Sequence, residues 1–399
     1  MASLAIKGGT PVRTKPFTKW PIFGKADEDA LVEVVRSGAW GWVSGGKKNG
    51  ELEEKFARYH DAKYGVTCVN GTAALEIALK AMGVGEGDEV ITTAYTFIAT
   101  ASAAVLVGAT PRFVDIDPDT YNIDPTKIEE AITPKTKAII PVHIGGCPAN
   151  MDGVLEVARK HNLMVLEDAA QAVGAEWKGQ KVGSIGNMGT FSFQASKNLN
   201  SGEGGIIITN DKKLADMAWS LMNVGRVKEG GWYDHPILGW NYRLTEFQAA
   251  LVLSQMERLE EQMKAREENA AYLSEGLKRI GGVEPLVPDE GVTRHAYHLY
   301  IFRYRSEEFG GLPRENFLKA LHAEGIPVSP GYVPLYKFPA LIDSRKDAGY
   351  DKVFLPATER ACNEEGVWIP QSVLLGSKED MDDIIEAVEK VKANIDEAR

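Results

Sequence analysis

Between Tyr64 and Thr209 the sequence alternates short apolar runs, rich in β-branched residues, with segments of helical spacing. The runs occupy residues 65–70, 89–93, 112–116, 138–144, 163–167, 189–193 and 205–209. Several are apolar almost throughout, which is typical of strands that are buried on both faces because helices cover both sides of a parallel sheet. The pattern therefore predicts an α/β fold, with a large three-layer domain around a mostly parallel, seven-stranded sheet.

The chain is long enough for more than this one sheet. Its 399 residues correspond to about two or three domains of ordinary size. We expect residues 1–50 to form an N-terminal arm and residues 51–255 the large domain. Residues 256–399 would then supply a long connecting helix and a smaller C-terminal α+β domain.

Further helices and strands are predicted outside the large sheet. A helix is expected over residues 28–36, and another from Glu51, after a glycine-rich mobile loop at residues 45–50. A helical pattern extends from residue 244 to residue 280, and because it exceeds the usual helix length we expect it to break once. In the C-terminal part we predict strands near residues 298–304 and 326–329, and a last helix over residues 380–398.

The composition disfavours several classes of function. With 45 Lys and Arg against 56 Asp and Glu, the formal charge is −11, which disfavours binding to a nucleic-acid backbone. Three widely spaced cysteines, without CxxC or HExxH patterns, argue against a disulfide framework and against a zinc site. Neither a signal peptide nor the ~20 apolar residues of a membrane span is apparent. We therefore expect a cytoplasmic protein with no metal and no nucleic-acid or membrane partner.

Three side chains with complementary chemistry follow one another in the middle of the chain. Asp168 comes at the end of an apolar run, Ser192 lies in the next run, and Lys197 follows in a loop of small residues. Pyridoxal 5′-phosphate needs an amine that condenses with its aldehyde and a carboxylate that keeps its ring nitrogen protonated. Taken alone, Lys197 could be a solvated turn residue and Asp168 a helix cap. The combination favours a cofactor site in which Lys197 and Asp168 are catalytic.

A second signal is the segment Asn70, Gly71, Thr72 and Ala73, which follows a predicted strand and opens a helix. Gly71 permits a tight turn, and the first N–H groups of the helix, with the Thr72 hydroxyl, can bind a phosphate dianion. A Gly-Thr pair by itself is more often a capped helix start. We name Gly71, Thr72 and Ala73 as candidate phosphate-binding residues.

Asp168, Gln171, Ser192 and Lys197, with the Gly-Glu-Gly-Gly run at residues 202–205, together resemble the DegT/DnrJ/EryC1/StrS family of sugar aminotransferases. The likeness extends over most of the chain. It implies a fold-type I enzyme that depends on pyridoxal phosphate. In such an enzyme Lys197 would form the Schiff base with the cofactor and move a proton, while Asp168 would contact the ring nitrogen.

The resemblance also implies cofactor contacts that spacing alone does not explain. Gln171 would reach the phenolic oxygen of the ring, and Ser192 would contact the phosphate. Phe97 matches an aromatic residue that stacks on the ring, although a core aromatic at a helix start is an equal alternative without the family. Asn241 resembles a residue that reaches the phosphate from the partner subunit, which implies a homodimer with shared active sites.

Substrate contacts are implied for four further residues. Arg243 could hold the carboxylate of the amino donor, because a guanidinium binds carboxylates in a fork geometry. His143 matches a family motif near the substrate, but a satisfied core histidine is equally compatible. Tyr332 and Tyr336 fall where the family shapes its acceptor site. Asn187 departs from the family, which often has an acid there, and we expect this position to lie behind the site.

The resemblance implies transfer of an amino group from glutamate or glutamine to a ketone, in amino-sugar or aminocyclitol biosynthesis. Few basic residues lie near Tyr332 and Tyr336, which favours a small uncharged cyclitol such as scyllo-inosose over a nucleotide-linked keto-sugar. A branch of the family has histidine in place of Lys197 and performs dehydration, so the lysine favours transamination. Two alternatives remain open: a non-catalytic regulatory protein that binds pyridoxal phosphate, and a lyase or racemase with the same cofactor.

Overall fold

The computed structural model describes residues 3–399. Its strands are β1 (Tyr64–Cys68), β2 (Glu89–Thr93), β3 (Thr110–Val114), β4 (Thr136–Ile140), β5 (Met164–Asp168), β6 (Glu176–Trp177), β7 (Gln180–Lys181), β8 (Met188–Ser192), β9 (Gly205–Thr209), β10 (Val283–Pro285), β11 (Val292–Arg294), β12 (Leu299–Tyr304) and β13 (Gly366–Pro370). Seven strands form the largest sheet, in the order β1-β9-β8-β5-β4-β2-β3. Neighbours are parallel except around β9, which is antiparallel to β1 and β8. The predicted α/β fold with a mostly parallel, seven-stranded sheet is confirmed, and each predicted run overlaps one strand.

Helices cover both faces of this sheet. The helices of the described chain are α1 (Lys25–Ser37), α2 (Lys48–Tyr59), α3 (Gly71–Ala81), α4 (Ala99–Leu106), α5 (Pro125–Ile128), α6 (Met151–His161), α7 (Lys212–Met222), α8 (Glu246–Met256), α9 (Leu259–Ile280), α10 (Arg314–Ala323), α11 (Pro339–Ser344), α12 (Pro356–Arg360), α13 (Lys378–Ala393) and α14 (Ile395–Ala398). Successive strand residues serve opposite faces: Ile206 and Ile208 join a core with α2, α6 and α8, while Ile207 joins a core with α3, α4 and α7. Burial on both faces explains why these strands are apolar throughout.

A smaller antiparallel sheet, β10-β12-β13, lies in the C-terminal part. Its core includes buried residues of α9, α10 and α13. The predicted strand near residues 298–304 is confirmed by β12, but the one at residues 326–329 is wrong. Ile326 and Val328 are buried in this core, and within that segment only Ser329 pairs, through an isolated bridge to Trp368. Apolar side chains are needed there for core packing rather than for a strand.

Three helix predictions are confirmed with shifted limits. The long helical pattern breaks once, at Glu257 and Arg258 between α8 and α9. Helix α2 begins before residue 51, because the Glu246 carboxylate accepts the N–H groups of Lys48 (2.5 Å) and Asn49 (3.3 Å) and so caps an earlier turn. The glycine-rich loop is correspondingly shorter than predicted. The last helix is divided at Asn394 into α13 and α14.

The N-terminal residues pack on the C-terminal part of the chain. Leu4 is buried in the core of the small sheet, and Arg13 lies 2.6 Å from the carboxylates of both Asp380 and Asp383 in α13. The indole N–H of Trp20 donates to the carbonyl of Ala195 at 2.9 Å, close to Lys197 in sequence. The division at residues 50 and 255 stays a prediction.

Candidate active site

A cavity of about 730 Å³ lies at the carboxyl ends of the parallel strands of the large sheet. This is where open α/β sheets bind ligands, and the volume suits a small molecule. Asp168 and Ser192, the last residues of β5 and β8, both line it. The predicted site residues that line the cavity are Gly71, Thr72, Phe97, Asp168, Gln171, Ser192, Lys197 and Tyr332.

Lys197 reaches the cavity from the loop between β8 and β9. Its N–H donates to the carbonyl of Gln194 (2.9 Å), and its carbonyl accepts from the Asn200 side-chain amide (3.3 Å), so the loop is held at both sides of the lysine. Burial lowers the pKa of Lys197 to about 8, against the opposing attraction of the Asp168 carboxylate. A lysine with this pKa is partly neutral near neutral pH, so it can act as a nucleophile and as a base.

Asp168 is a buried carboxylate with two donors. The hydroxyl of Thr100, the second residue of α4, donates to Oδ2 at 2.7 Å, and the N–H of Ala170 donates to Oδ1 at 3.2 Å. Burial nevertheless raises the pKa of Asp168, more than these hydrogen bonds and Lys197 lower it. A carboxylate in this state is stabilised by a cation beside it, and a protonated ring nitrogen would supply one.

The start of α3 and the end of β8 form a cradle that a larger residue would fill. Asn70 caps the helix, since its Oδ1 accepts the N–H of Ala73 at 2.8 Å. The earlier N–H groups, of Gly71 and Thr72, have no intrahelical partner by helix geometry. A Cβ on Gly71 would lie 2.8 Å from the Cβ of Ser192, so only glycine allows this approach. The cradle fits a phosphate, with Ala73 engaged by the cap rather than lining the cavity.

Gln171 and Tyr332 meet in the cavity wall, with the Gln171 Nε2 donating to the Tyr332 hydroxyl at 2.7 Å. Phe97 is also at the cavity, and 59% of its surface is exposed in the single chain. The ring of Tyr332 packs edge-on against Trp368 at 4.5 Å. Tyr332, which was predicted to contact the amino acceptor, therefore lies in the same cavity wall as Gln171, which was predicted to contact the phenolic oxygen.

Two of the predicted substrate residues lie in the core instead. His143 is fully buried, its Nδ1 accepting the N–H of Ala149 (3.0 Å) and its Nε2 facing Glu167 Oε2 (3.1 Å), so the core-histidine alternative describes it. Tyr336 donates its hydroxyl to Glu359 at 2.6 Å and packs away from the cavity. Both side chains were placed near the substrate by motif position, which does not report the direction of a side chain.

Asn241 and Arg243 lie outside the lining of their own chain's cavity. The backbone of Asn241 pairs with that of Asn223, and the Arg243 guanidinium donates to the Asn223 side chain at 3.1 Å. Asn187, at the position where the family often has an acid, accepts the N–H of Val165 at 2.8 Å. It therefore joins neighbouring strands behind the site rather than facing the cavity.

Sequence analysis missed Thr100, His298 and Trp368. Thr100 holds Asp168, and its signal was a hydroxyl residue four positions after Thr96. Trp368, in β13, and His298, directly before β12, also line the cavity, and nothing in their local sequence marks them. Burial lowers the pKa of His298 well below its ordinary value, so the imidazole is neutral beside the cavity.

Across residues 3–399, no group of three or more His, Cys, Asp or Glu side chains is arranged to hold a metal ion. The same part of the chain contains no helix that is both long and apolar enough to cross a membrane. Cys68, Cys147 and Cys362 are free, buried thiols.

Comparison with known proteins gives the same family along almost the whole chain. The model of the DegT/DnrJ/EryC1/StrS aminotransferase family matches residues 22–389. A relative from Streptoalloteichus tenebrarius, with the provisional name L-glutamine:3-amino-2,3-dideoxy-scyllo-inosose aminotransferase, is 42% identical over 414 residues, covering 100% of both chains. GDP-perosamine synthase from Caulobacter vibrioides is 42% identical over 353 residues, covering 88% of this chain and 92% of that protein.

Solved structures agree with the sequence relatives. The crystal structure of 3-amino-5-hydroxybenzoic acid synthase superposes with a TM-score of 0.87 at 33% identity, covering 96% of this chain and 100% of that one. The cavity holds the groups that pyridoxal phosphate requires: a lysine of lowered pKa, a buried carboxylate and a phosphate cradle. These findings decide against a non-catalytic protein and against a lyase or racemase. The chain belongs to the DegT/DnrJ/EryC1/StrS aminotransferase family and is a pyridoxal-phosphate-dependent aminotransferase.

Proposed function

We propose that this enzyme transfers the amino group of glutamine or glutamate to the ketone of a cyclitol, with scyllo-inosose as the representative acceptor. The observation that carries the proposal is the charge of the cavity. Within residues 3–399, Lys197 is the only lysine or arginine in the lining, whereas Asp168 and Glu203 are acidic. The relative from S. tenebrarius supports both halves of the proposal, because its name specifies glutamine as donor and an inosose as acceptor.

Each cofactor contact is assigned from the cavity. When bound, pyridoxal phosphate supplies an aldehyde that condenses with amines and a ring that withdraws electrons from the reacting carbon. In our proposal Lys197 supplies the amine, and afterwards carries a proton to and from the substrate carbon. Asp168 holds the ring nitrogen cationic through a charge-assisted hydrogen bond. Gly71 and Thr72, at the start of α3, bind the phosphate together with Ser192.

The face and edge of the ring are assigned to two further residues. Phe97 is exposed at the cavity and can stack on a planar ring, which contributes roughly 0.5–1.5 kcal/mol beyond its burial. Gln171 lies in the wall beside Asp168, where one hydrogen of its Nε2 is used by Tyr332. The second hydrogen remains for the phenolic oxygen of the ring.

A nucleotide-linked keto-sugar is the second candidate acceptor, and the similarity to GDP-perosamine synthase supports it. Such a substrate carries a diphosphate, which needs cationic donors or free backbone N–H groups when it leaves water. The lining of the chain's own cavity offers Lys197, which is committed to the cofactor in our proposal, and Arg243 of the second subunit is assigned to the carboxylate of the amino donor. The neutral cyclitol therefore fits the lining better.

We further propose a homodimer in which Asn241 and Arg243 of one subunit reach the cavity of the other. Neither residue lines the cavity of its own chain. Large aromatic side chains outside the cavity are exposed on the single chain: Trp40 at 54% and Trp42 at 42%. Aromatic residues are enriched in the cores of protein interfaces.

The free, buried cysteines also support a cytoplasmic location, where thiols stay reduced.

Steady-state kinetics with glutamine as donor tests the acceptor. We expect the purified enzyme to be yellow, to bleach on addition of glutamine, and to use scyllo-inosose with a higher kcat/KM than a thymidine-diphosphate keto-sugar. Turnover of the nucleotide-linked ketone alone would overturn the cyclitol assignment. A yellow enzyme that bleaches with glutamate but not with glutamine would correct the donor.

A further inference from the structure

The side-chain amide of Gln171 has a fixed orientation. Its Oε1 accepts the N–H of Gly145 at 2.7 Å, and a backbone N–H can only donate. The opposite end of the amide is therefore the NH₂ group, which donates to the Tyr332 hydroxyl at 2.7 Å. Exchanging the two ends would place donor against donor at Gly145.

The orientation of Gln171 determines where the Tyr332 proton points. The phenolic oxygen accepts from Gln171, so its own proton must be directed elsewhere. In the part of the chain that the structure describes, no protein acceptor takes this proton, and Tyr332 lines the cavity. Burial raises the pKa of Tyr332, with Gln171 opposing and the Asp168 charge adding to the rise, so the phenol stays protonated. The cavity wall thus holds a neutral donor.

The ring that carries this hydroxyl is held by its neighbours. Tyr332 packs edge-on against Trp368 (4.5 Å) and Tyr95 (5.3 Å), and the Trp368 indole N–H donates to the Tyr95 hydroxyl at 2.9 Å. Gly331 has φ +85°, and a Cβ there would lie 3.0 Å from the Trp368 ring. Because the indole N–H is already used, Trp368 contributes apolar aromatic surface and no hydrogen-bond donor to the cavity.

Arg314 fixes the two segments that carry the wall. Its guanidinium donates to the carbonyls of Pro330 (3.1 Å) and Gly366 (2.9 Å), two residues before Tyr332 and Trp368 respectively. The donor and the aromatic face therefore keep their spacing. A rigid hydrogen-bond donor beside an apolar face matches a ring with hydroxyl groups on its edge and C–H groups on its faces.

We propose that Tyr332 is a fixed hydrogen-bond donor to an oxygen of the amino acceptor, that Gln171 sets the direction of its proton, and that Trp368 packs on the apolar face of the acceptor ring. The ligand class is an uncharged polyhydroxylated ring. This inference rests on the proposed function and adds the residues that would recognise its substrate. Gln171 is a positioning residue here, because it acts on the acceptor through Tyr332.

The first test removes one oxygen atom. Tyr332→Phe keeps the ring and its packing, so we expect the KM for scyllo-inosose, and the Kd of the holoenzyme for the unreactive probe scyllo-inositol measured by calorimetry, to rise about tenfold. The KM for glutamine should change by less than the KM for the acceptor. Tyr304→Phe is the matched control, since that buried hydroxyl donates to the carbonyl of Leu312, outside the cavity.

The second test reverses the direction in which the Tyr332 hydroxyl proton points. Gln171→Glu keeps the shape and the acceptor for Gly145, but a carboxylate accepts the Tyr332 proton and turns it away from the cavity. We expect a similar loss of acceptor affinity in the wild-type background. In the Tyr332→Phe background the Kd for scyllo-inositol should rise no further, because the proton is already absent there, whereas turnover should fall in both backgrounds because Gln171 also faces the cofactor in our proposal. Additive losses in this double-mutant cycle would show that Gln171 does not act through Tyr332.

The outcomes separate this inference from the proposed function. A wild-type enzyme that does not aminate scyllo-inosose would overturn the proposed function. A wild-type enzyme that aminates it, with a Tyr332→Phe variant that melts at the wild-type temperature and keeps the wild-type acceptor KM and probe Kd, would overturn the inference alone.

Discussion

Lys197 and Asp168 are each pushed towards the neutral form by the same buried cavity. Burial lowers the pKa of the lysine to about 8 and raises that of the aspartate, while their mutual attraction opposes both shifts. A neutral amine is the form that attacks an aldehyde. Asp168 regains a stable charge once a cation faces it. These two side chains are therefore suited to bind opposite ends of one planar cofactor.

The lowered pKa of Lys197 predicts how fast the empty enzyme takes up its cofactor. Because the neutral fraction of the amine grows as pH rises towards about 8, the rate constant for loading should rise about tenfold per pH unit below that value and level off above it. Stopped-flow absorbance of the apoenzyme mixed with pyridoxal phosphate measures this profile.

The same profile has an internal control. Asp168 raises the pKa of Lys197, so Asp168→Asn should move the midpoint of the loading profile to lower pH. A wild-type midpoint at the ordinary lysine value of ~10.4 would contradict the desolvated environment of the amine.

At the scale of helices and strands, the close contact between α3 and β8 shapes the phosphate cradle. Gly71→Ala puts a Cβ 2.8 Å from that of Ser192, so the helix start must move away from the strand. We expect the affinity for pyridoxal phosphate to fall roughly ten- to hundredfold, because both groups of phosphate donors separate. Pyridoxal, which lacks the phosphate, should lose less affinity in fluorescence titrations.

Gly50→Ala is the matched control for that substitution. Gly50 lies in α2, with open space around its Cα, so alanine should keep cofactor affinity and stabilise the helix by about 0.5–1 kcal/mol. Equal losses for Gly71→Ala and Gly50→Ala would mean that the close approach to Ser192 has no part in phosphate binding.

The start of α2 depends on a carboxylate from α8. Glu246 is buried and accepts from the N–H groups of Lys48 and Asn49 and from the Asn49 side chain (2.6 Å). Glu246→Ala leaves these donors unpaired, so we expect the free energy of unfolding to fall by about 2–4 kcal/mol in urea titrations. Glu257→Ala, which removes an exposed ion pair with Lys55, should cost less than about 1 kcal/mol. Equal costs would refute the capping role.

The strands and helices also show which parts of the fold and of the site could be predicted from the sequence alone. The strands of the large sheet were predictable, because burial on both faces leaves a local signal, and Asp168 and Lys197 were predictable as neighbours of those strands. His298 and Trp368 were not, since they reach the cavity from another sheet and only tertiary packing brings them there. Ile326 was assigned to a strand, but a short apolar run can equally well belong to a loop that packs in a core. The sequence alone does not distinguish the two.

For the whole molecule, shared active sites predict complementation between two inactive variants. Lys197→Ala disables the cavity of its own chain, and Asn241→Ala should disable the cavity of its partner. A heterodimer of the two keeps one intact site, so random mixing should restore about a quarter of wild-type activity. Activity after co-expression of the two tagged variants measures this.

A different pairing serves as the control for that experiment. Lys197→Ala with Asp168→Asn should restore nothing, because both residues line the cavity of the same chain. Restored activity with this pair, or no activity with the first pair, would contradict an active site that is completed across the dimer.

The cavity is lined from both sheets, since Asp168 ends β5 of the large sheet, whereas Trp368 lies in β13 of the small sheet and His298 directly precedes β12. A bound molecule that touches both sides couples their unfolding through its binding free energy. Calorimetric scans should therefore give one heat-absorption peak for the loaded enzyme and two overlapping peaks for the stripped protein. In the stripped protein the cluster of Tyr95, Val142, Ile144 and Ile301 still joins the two sheets, so the two peaks should overlap rather than separate fully.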